Sequence, residues 1–335
     1  MESVHLERVQ VSCVATLTAL AVAAALYWLA PVMVPFVLAS FIAIVLWPLV
    51  DLVSARLRLP TPLAMAVVAV VAVAVVGLLG GLVSRSIIEL GQDAGAYRAR
   101  LTELQTRALE LFGRSGLGID ALLPSSATVA GWISSVTNAL GGLLSQSVLV
   151  LIFALFLLGG RSRTAPATGV WRDIESSVQG YVAAKLFTSA LTGVLVGTAL
   201  WLLGIDLAFL FGLFAFLLNF IPNVGSLVAT LLPLPIILVS PDVTGVTAVL
   251  ALAIPGAVQF GVGNVLEPRL MGSSLDLHPA VILMALIFWG MLWGFVGMLL
   301  ATPLTAVLKI VLERNELTAP VAELLAGRFR GRAVS

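Results

Sequence analysis

The stretch Asn219-Phe220-Ile221-Pro222-Asn223-Val224-Gly225 interrupts an apolar run that extends from Leu207 to Val239. It places two asparagines, a proline and a glycine where a bilayer offers the backbone no water. An unsatisfied backbone N–H or C=O costs several kcal/mol in hydrocarbon, so irregular backbone at depth survives only inside protein or beside a water-filled cavity. A polar break between two half-length helices therefore predicts a transport path.

A second stretch repeats this pattern. Residues 224–230 read VGSLVAT and residues 296–302 read VGMLLAT, with five of seven positions identical. Each copy follows a turn-prone pair, Pro222-Asn223 in the first and Trp293-Gly294 in the second. Interrupted apolar segments in corresponding places are typical of transporters built from internal repeats, whereas chance identity among small apolar residues is the alternative. We interpret the two stretches as two broken helical hairpins, 207–239 and 279–312.

The composition is that of a polytopic membrane protein. The 335 residues are 60% hydrophobic and 10% charged, whereas about 25% of the residues in a soluble domain are charged. The net charge of +1 gives no reason to expect a nucleic-acid partner. One cysteine and two distant histidines offer no metal cluster, and the motifs of phosphate-binding loops, zinc proteases and serine hydrolases are missing. We expect no metal, no cofactor and no enzymatic activity.

Long apolar runs predict an all-α fold with about eight membrane segments. The predicted regions are N-terminal membrane helices over 1–83, a polar amphipathic extramembrane insert over 84–138, a transport core over 139–312 and a cytoplasmic tail over 313–335. Each arm of the first hairpin spans about 21–24 Å at 1.5 Å per residue, which is short of the roughly 30 Å hydrocarbon core. The arms therefore either re-enter the membrane or cross a thinned region.

The distribution of basic residues predicts the orientation, with both termini in the cytoplasm. In this orientation Arg8, the 51–61 loop, the 161–185 segment, Arg269 and the tail all lie inside. One span, Val243–Val262, then separates the hairpins, so that they enter from opposite faces as an inverted repeat.

The insert carries a stripe of apolar side chains that alternate by three and four, as in the seam of a coiled coil. Its members are Ile87, Leu90, Ala94, Tyr97, Leu101, Leu104, Ala108 and Leu111. The stripe packs either against neighbouring parts of the chain and the lipid surface or against another subunit. The candidate subunit contacts are Leu90, Tyr97, Leu101, Leu104 and Leu111.

The polar side chains at depth are amides and hydroxyls, and no carboxylate lies in the middle of an apolar run, which argues against a midplane proton relay. Amides both donate and accept, which suits a polar neutral or weakly anionic solute; the alternative is a helix–helix hydrogen bond, worth about 0.6–2 kcal/mol in membranes. The candidate solute-path residues are Asn219, Asn223, Ser226, Thr230, Gln259, Asn264 and Thr302. The candidate hinges are Pro222, Gly225, Gly294, Gly297 and Pro303.

Charged side chains lie at the ends of the apolar runs. Lys185 is near the start of the fifth span, and we expect its long side chain to reach the membrane interface. Glu267 and Arg269 bracket Pro268 and form either a gate or an ion pair that fixes topology. The proline predicts that Glu267 leaves the helical region. Asp206, in the loop after the fifth span, completes this set of candidates.

Three motifs resemble the autoinducer-2 exporter family of bacterial inner-membrane proteins, also called PerM-like permeases. They are Asn219–Gly225, Asn264–Gly272 and Gly294–Leu304. The resemblance covers most of the chain and implies about eight membrane segments with a polar insert after the third. It also implies a transport role, homo-oligomers with a pentamer as the expected assembly, export of the signalling furanone and, for some members, sodium/proton antiport.

These observations favour a secondary transporter of the bacterial inner membrane that exports a small polar organic solute such as autoinducer-2. The alternatives are a monovalent-cation antiporter and a non-transporting oligomeric scaffold. The expected partners are membrane lipid, the solute, a coupling cation and further copies of this chain.

Overall fold

The computed structural model describes residues 2–92, 147–160, 169–240, 243–271, 276–316 and 318–328, with a few isolated positions between 93 and 146. Every regular element in these ranges is a helix. The longer ones are α1 (Glu2–Trp28), α2 (Ala30–Leu57), α3 (Thr61–Gln92), α4 (Ser147–Gly160), α5 (Val170–Leu202), α9 (Gly245–Gly261) and α11 (Pro279–Leu312). The shorter ones are α6 (Ala208–Leu218), α7 (Val224–Leu231), α8 (Leu234–Val239), a π-helical turn (Val262–Leu266), α10 (Glu267–Met271) and α12 (Ala319–Leu325).

Five of the described helices are long and apolar enough to cross a membrane. They are Ala30–Leu57, Thr61–Ser86, Val170–Leu202, Gly245–Met271 and Pro279–Leu312. The all-helical, multi-pass architecture expected from the composition is therefore confirmed. Shorter apolar helices such as Ala208–Leu218 fall below that length.

The chain divides into two compact units. The first comprises residues 1–47, 150–179 and 275–335, and the second comprises residues 48–149 and 180–274. The core of the second unit joins α5, α6, α7, α8 and α9 through buried side chains, among them Leu200, Phe211, Ala229, Ile237 and Ala251. The second unit contains the break at 219–225, and the first contains the break at Trp293-Gly294.

Glycines bring α5 and α6 into close contact within the second unit. A β-carbon on Gly212 would lie 2.7 Å from the carbonyl oxygen of Gly193 and 2.9 Å from the Cα of Gly197. Small residues let helix backbones approach in this way in membranes. The contact runs antiparallel, so Ser189, one turn before Gly193, faces Asn219 beyond the end of α6.

The second unit reverses direction at the predicted break. Helix α6 ends at Leu218, and α7 begins at Val224 after Asn223, which has φ +59°. At its far end, Ser240 donates its hydroxyl to Asp206 Oδ2 at 3.2 Å. Because Asp206 precedes α6 and Ser240 follows α8, the segment returns to the place where it started.

The first unit contains a second reversal, inside α11. Trp293 and Gly294 have non-helical backbone angles, and Gly294 has φ +60°. Trp289 Nε1 donates to Thr305 Oγ1 at 3.2 Å, although a continuous helix would separate these residues by about 24 Å. The two halves of α11 therefore pack against each other, with the break at the position that the sequence predicted.

Several helices extend further than hydropathy predicted. Helix α3 continues past Ser84 to Gln92, and α5 begins at Val170 rather than at Gly180. The early part of α5 is amphipathic, with Ile174 and Val178 buried at helical spacing. A buried apolar stripe of this kind stabilises a helix beyond its purely apolar stretch. Mean hydropathy over a window of sequence does not detect such a stripe.

The prediction that Pro268 takes Glu267 out of the helical region is wrong. Glu267 has φ −57° and ψ −49°, and the helix continues through it to Met271. A proline inside a helix clashes with the carbonyl four residues earlier, but here that carbonyl belongs to Asn264 in the π-helical turn. In this turn the N–H of Glu267 donates to the carbonyl of Val262, five residues earlier, and the wider turn has room for the proline ring.

Most of the predicted insert lies outside the described residues. Tyr97, Leu101, Leu104 and Leu111 fall there, and Leu90 lies within the last turns of α3. The subunit contact proposed for this stripe stays a prediction.

Candidate functional site

A polar face runs along α5 inside the second unit. Lys185, Thr188, Ser189 and Thr192 are at most 3% exposed. Their spacing of three and four residues puts them on one side of the helix. Burying such groups costs free energy unless they find partners, so the face must meet other polar groups.

One carboxylate oxygen accepts three hydrogen bonds at this face. Glu267 Oε1 lies 2.6 Å from Lys185 Nζ, 3.2 Å from Thr188 Oγ1 and 3.1 Å from Asn219 Nδ2. The side chains of Lys185 and Glu267 are 4% and 17% exposed. Pairing neutralises two charges that would otherwise be costly to bury.

Asn219 joins the helix break to this ion pair. It is 5% exposed and follows the last residue of α6. Its amide nitrogen also donates to Ser189 Oγ at 3.0 Å, so both amide protons have acceptors. We call Lys185, Thr188, Ser189, Asn219 and Glu267 the Glu267 cluster. It fastens three elements together: α5, the break and α10.

The expectation that Lys185 reaches the membrane interface is wrong, because its ammonium is buried against Glu267. Glu267 pairs with Lys185, while Arg269 is exposed. Asp206 lies beyond the opposite end of α5, whose last residue, Leu202, is about 26 Å from Lys185 by helix rise. The polar spacing along α5 was visible in the sequence and could have identified this face, but its partner Glu267 is far away in the chain.

Gln259 is a buried amide for which the described part of the chain offers no hydrogen-bond partner. It is 5% exposed, and within the described residues neither of its amide atoms has a hydrogen bond. It lies on the buried face of α9 with Ala251 and Pro255, two turns before Glu267 on the same continuous helix. A buried polar group of this kind calls for a water molecule or a ligand.

Three of the four remaining solute-path candidates of the second unit donate hydrogen bonds to nearby backbone carbonyls of their own segments. Ser226 Oγ donates to Asn223 O at 2.9 Å, Thr230 Oγ1 to Ser226 O at 2.9 Å, and Asn264 Nδ2 to Phe260 O at 3.1 Å. Asn223 and Asn264 are exposed. Within the described residues, no hydrogen bond joins these side chains to the Glu267 cluster.

The candidates of the first unit lie in the second half of α11. Thr302 is 4% exposed, and its hydroxyl has no partner within the described residues. Pro303 follows it inside the helix, and Gly297 packs against the carbonyl of Trp289. In the second unit Gly225 packs in the same way against the carbonyl of Leu218, while Pro222 lies in the break.

A second buried lysine lies in the first unit. Lys309 Nζ is 2.9 Å from Asp276 Oδ2 and 3.0 Å from Glu313 Oε1, and its side chain is 6% exposed. Arg328 also pairs with Asp276. This network joins the start and end of α11 to the residues after α12.

Comparison with known proteins gives the family. Residues 17–316 match the family described as AI-2E family transporter. The chain is 36% identical to the AI-2 transport protein TqsA of Escherichia coli (strain K12) over 315 residues, which is 89% of this chain and 90% of that protein. It is 32% identical over 318 residues to a Haemophilus influenzae protein named "Putative transport protein", covering 88% of this chain and 90% of the relative. The chain therefore belongs to the AI-2E transporter family.

Proposed function

We propose that this protein is a secondary transporter that exports a small polar organic solute past the Glu267 cluster. The observation that carries the proposal is that one carboxylate oxygen ties a helix break to two helices. Transporters bind solutes and ions at discontinuous helices of this kind. Autoinducer-2 is the first solute to test, because it appears in the name of the E. coli relative.

The chemistry of the cluster suits a neutral solute with several hydroxyl groups. Within the described residues, Glu267 is the single acceptor for the Lys185 ammonium, which leaves two N–H bonds to donate. Gln259 adds a buried donor and acceptor on the same helix as Glu267. A hydroxylated solute can therefore exchange hydrogen bonds with protein groups instead of water, without bringing a net charge into the membrane.

We further propose that the segment 207–239 is a re-entrant hairpin. Helix α6 has 11 residues, or about 16 Å of length, against a hydrocarbon core of roughly 30 Å. The contact of Ser240 with Asp206 supports a return to the starting side. The second hairpin, the inverted repeat, about eight membrane segments, an inner-membrane location with cytoplasmic termini, and a pentameric assembly remain proposals that rest on the sequence.

Efflux from proteoliposomes tests the function. Purified protein is reconstituted with labelled autoinducer-2 inside, and efflux is followed for the wild type, Asn219→Leu and Asn264→Leu. Asn264 is the matched control, because it is exposed and its side chain, among the described residues, bonds to its own helix alone. We expect Asn219→Leu to abolish efflux and Asn264→Leu to retain it. Normal efflux in a folded Asn219→Leu protein would refute the assignment.

A monovalent-cation antiporter is the second candidate, and the carboxylate of Glu267 inside the cluster favours it. The same vesicles, loaded with a pH-sensitive dye and given sodium gradients, measure it directly. Sodium-driven proton movement without solute efflux would select the antiporter. If neither occurs with any solute, the non-transporting scaffold is the remaining function, and loss of oligomers in Leu101→Glu would test it.

A further inference from the structure

The Lys185 ammonium lies where a small cation bound to Glu267 would lie. Its nitrogen is 2.6 Å from Glu267 Oε1, and calcium, for comparison, sits about 2.3–2.6 Å from its carboxylate oxygens. A lysine ammonium is a compact point charge with the same charge as sodium. Seen from the carboxylate, the tethered nitrogen is equivalent to a bound monovalent cation.

The choice of lysine at this position is specific. The chain has 16 arginines and two lysines, and both lysines are buried in ion pairs, with side chains 4% and 6% exposed. Arginines, in contrast, occupy exposed positions, namely Arg56, Arg58, Arg85, Arg172, Arg269, Arg314 and Arg328. A guanidinium is larger than an ammonium and holds its donors in a rigid planar fork, whereas the compact ammonium here contacts the one oxygen Oε1 of Glu267.

The surroundings of the ammonium resemble a cation site at a broken helix. In transporters with discontinuous helices, oxygen atoms at the break coordinate the coupling cation and hold the broken element to its neighbours. Here the Glu267 cluster offers the carboxylate of Glu267, the hydroxyls of Thr188 and Ser189, and the oxygen of Asn219 if its amide turns by 180°. The ammonium contacts the same carboxylate oxygen that Thr188 and Asn219 contact.

We propose that the Lys185 ammonium replaces a coupling cation in the Glu267 cluster, so that this site needs no sodium. Removing the ammonium would then uncover a site for a monovalent cation that the wild-type protein keeps filled. The proposal rests on the proposed transport function only for its consequence for flux, since cation binding is measured without any solute.

The test is thermal unfolding in chloride salts of sodium, lithium, potassium and choline at equal ionic strength, followed by tryptophan fluorescence. Wild-type protein should unfold at one temperature in all four salts. Lys185→Met keeps an unbranched side chain, shorter by the one nitrogen atom, and removes the charge. It should unfold several degrees lower in choline chloride and recover in a saturable way with at least one alkali cation, because a ligand that binds only the folded state stabilises it.

Two variants control for general effects of salt. Lys185→Met combined with Glu267→Gln removes the anionic ligand and should lose the alkali-cation response. Lys309→Met removes the other buried lysine, but Asp276 is 41% exposed and keeps Arg328 as a partner. It should be destabilised equally in all four salts. A response of the same size in Lys309→Met would show that the effect is not specific to the cluster.

The proposal is overturned if Lys185→Met unfolds at one temperature in all four salts. If Lys185→Met does not fold, the test is to compare solute efflux by the wild-type protein in choline chloride and in sodium chloride. Efflux that strictly requires sodium overturns the proposal. Alkali-cation rescue without solute efflux would support the cation position while the proposed function fails. Solute efflux by the wild type, together with no cation response in folded Lys185→Met, would support the proposed function and overturn the cation position.

Discussion

A β-carbon on Gly225 would lie 1.8 Å from the carbonyl oxygen of Leu218. No real contact of this kind is that short, so α7 can follow the break at its present angle only because residue 225 has no side chain. In the first unit, a β-carbon on Gly297 would lie 2.0 Å from the carbonyl oxygen of Trp289. The two glycines occupy matching places in the VGSLVAT and VGMLLAT stretches and have the same packing role.

Gly225→Ala should therefore destabilise the protein, because the atom it meets belongs to the backbone and cannot rotate away. Overpacking of this kind costs about 1–3 kcal/mol or more. Gly77→Ala is the control, since nothing lies within 4 Å of its added β-carbon. The measurement is the thermal unfolding midpoint in detergent, and equal midpoints for the two variants would contradict the packing role.

The break inside α11 can be tested by cross-linking. A β-carbon on Gly290 would lie 2.9 Å from Met298 Cγ, which places two cysteines there within reach of a disulfide. In a Cys13→Ser background, Gly290→Cys with Met298→Cys should cross-link under mild oxidation. Met284→Cys with Leu292→Cys has the same sequence separation within one half of the helix, about 12 Å, and should not. Failure of the first pair would mean that α11 is continuous.

The Lys185–Glu267 pair should show strong energetic coupling. Glu267→Gln leaves the Lys185 ammonium buried without its counter-charge, and breaking a buried pair costs about 3–5 kcal/mol. Combining Lys185→Met with Glu267→Gln removes both charges, so it should cost less than the sum of the single changes. A double-mutant cycle of unfolding free energies measures this difference, and additive costs would mean that the two charges do not interact.

Gln259→Leu should lower transport without lowering the stability of the folded protein. Since neither amide atom of Gln259 has a protein partner within the described residues, a leucine of similar size removes an unsatisfied polar group. Stability should therefore stay equal or rise by about 1–3 kcal/mol, while efflux falls. A destabilised variant would indicate that the amide has a structural partner such as a buried water. Unchanged efflux would remove Gln259 from the path.

Both helix breaks were predictable because proline, asparagine and glycine are conspicuous in apolar sequence, and Trp293-Gly294 was placed correctly. Only part of the Glu267 cluster can be predicted from the sequence. Asn219 is conspicuous because it flanks the break, whereas a rule for isolated lysines predicts an interfacial position for Lys185, which shares the Glu267 carboxylate with Asn219. The sequence does not predict the helical position of Glu267, because a π-helical turn, which leaves no clear signal in sequence, lets Pro268 lie within a helix.

Rules based on local sequence also do not predict which polar side chains face the protein interior. Asn264 and Asn219 are alike in sequence context, but one bonds to its own helix and the other to Ser189 and Glu267. Whether Asn219 turns inward depends on the register of α5 against α6, which the contacts between their glycines fix. That register is a tertiary property, and no window of sequence around either asparagine contains it.

The burial of both lysines has a practical consequence for chemical labelling. Lys185 and Lys309 are the only two in the chain, and each has its amine against a carboxylate. An amine-reactive reagent should therefore modify the resting protein at its N-terminus alone. Acylation of Lys185 would identify a state in which the Lys185–Glu267 ion pair is broken and the helix break is accessible to the reagent. Mass spectrometry of that one site could then count open molecules during turnover, without introducing a probe into the fold.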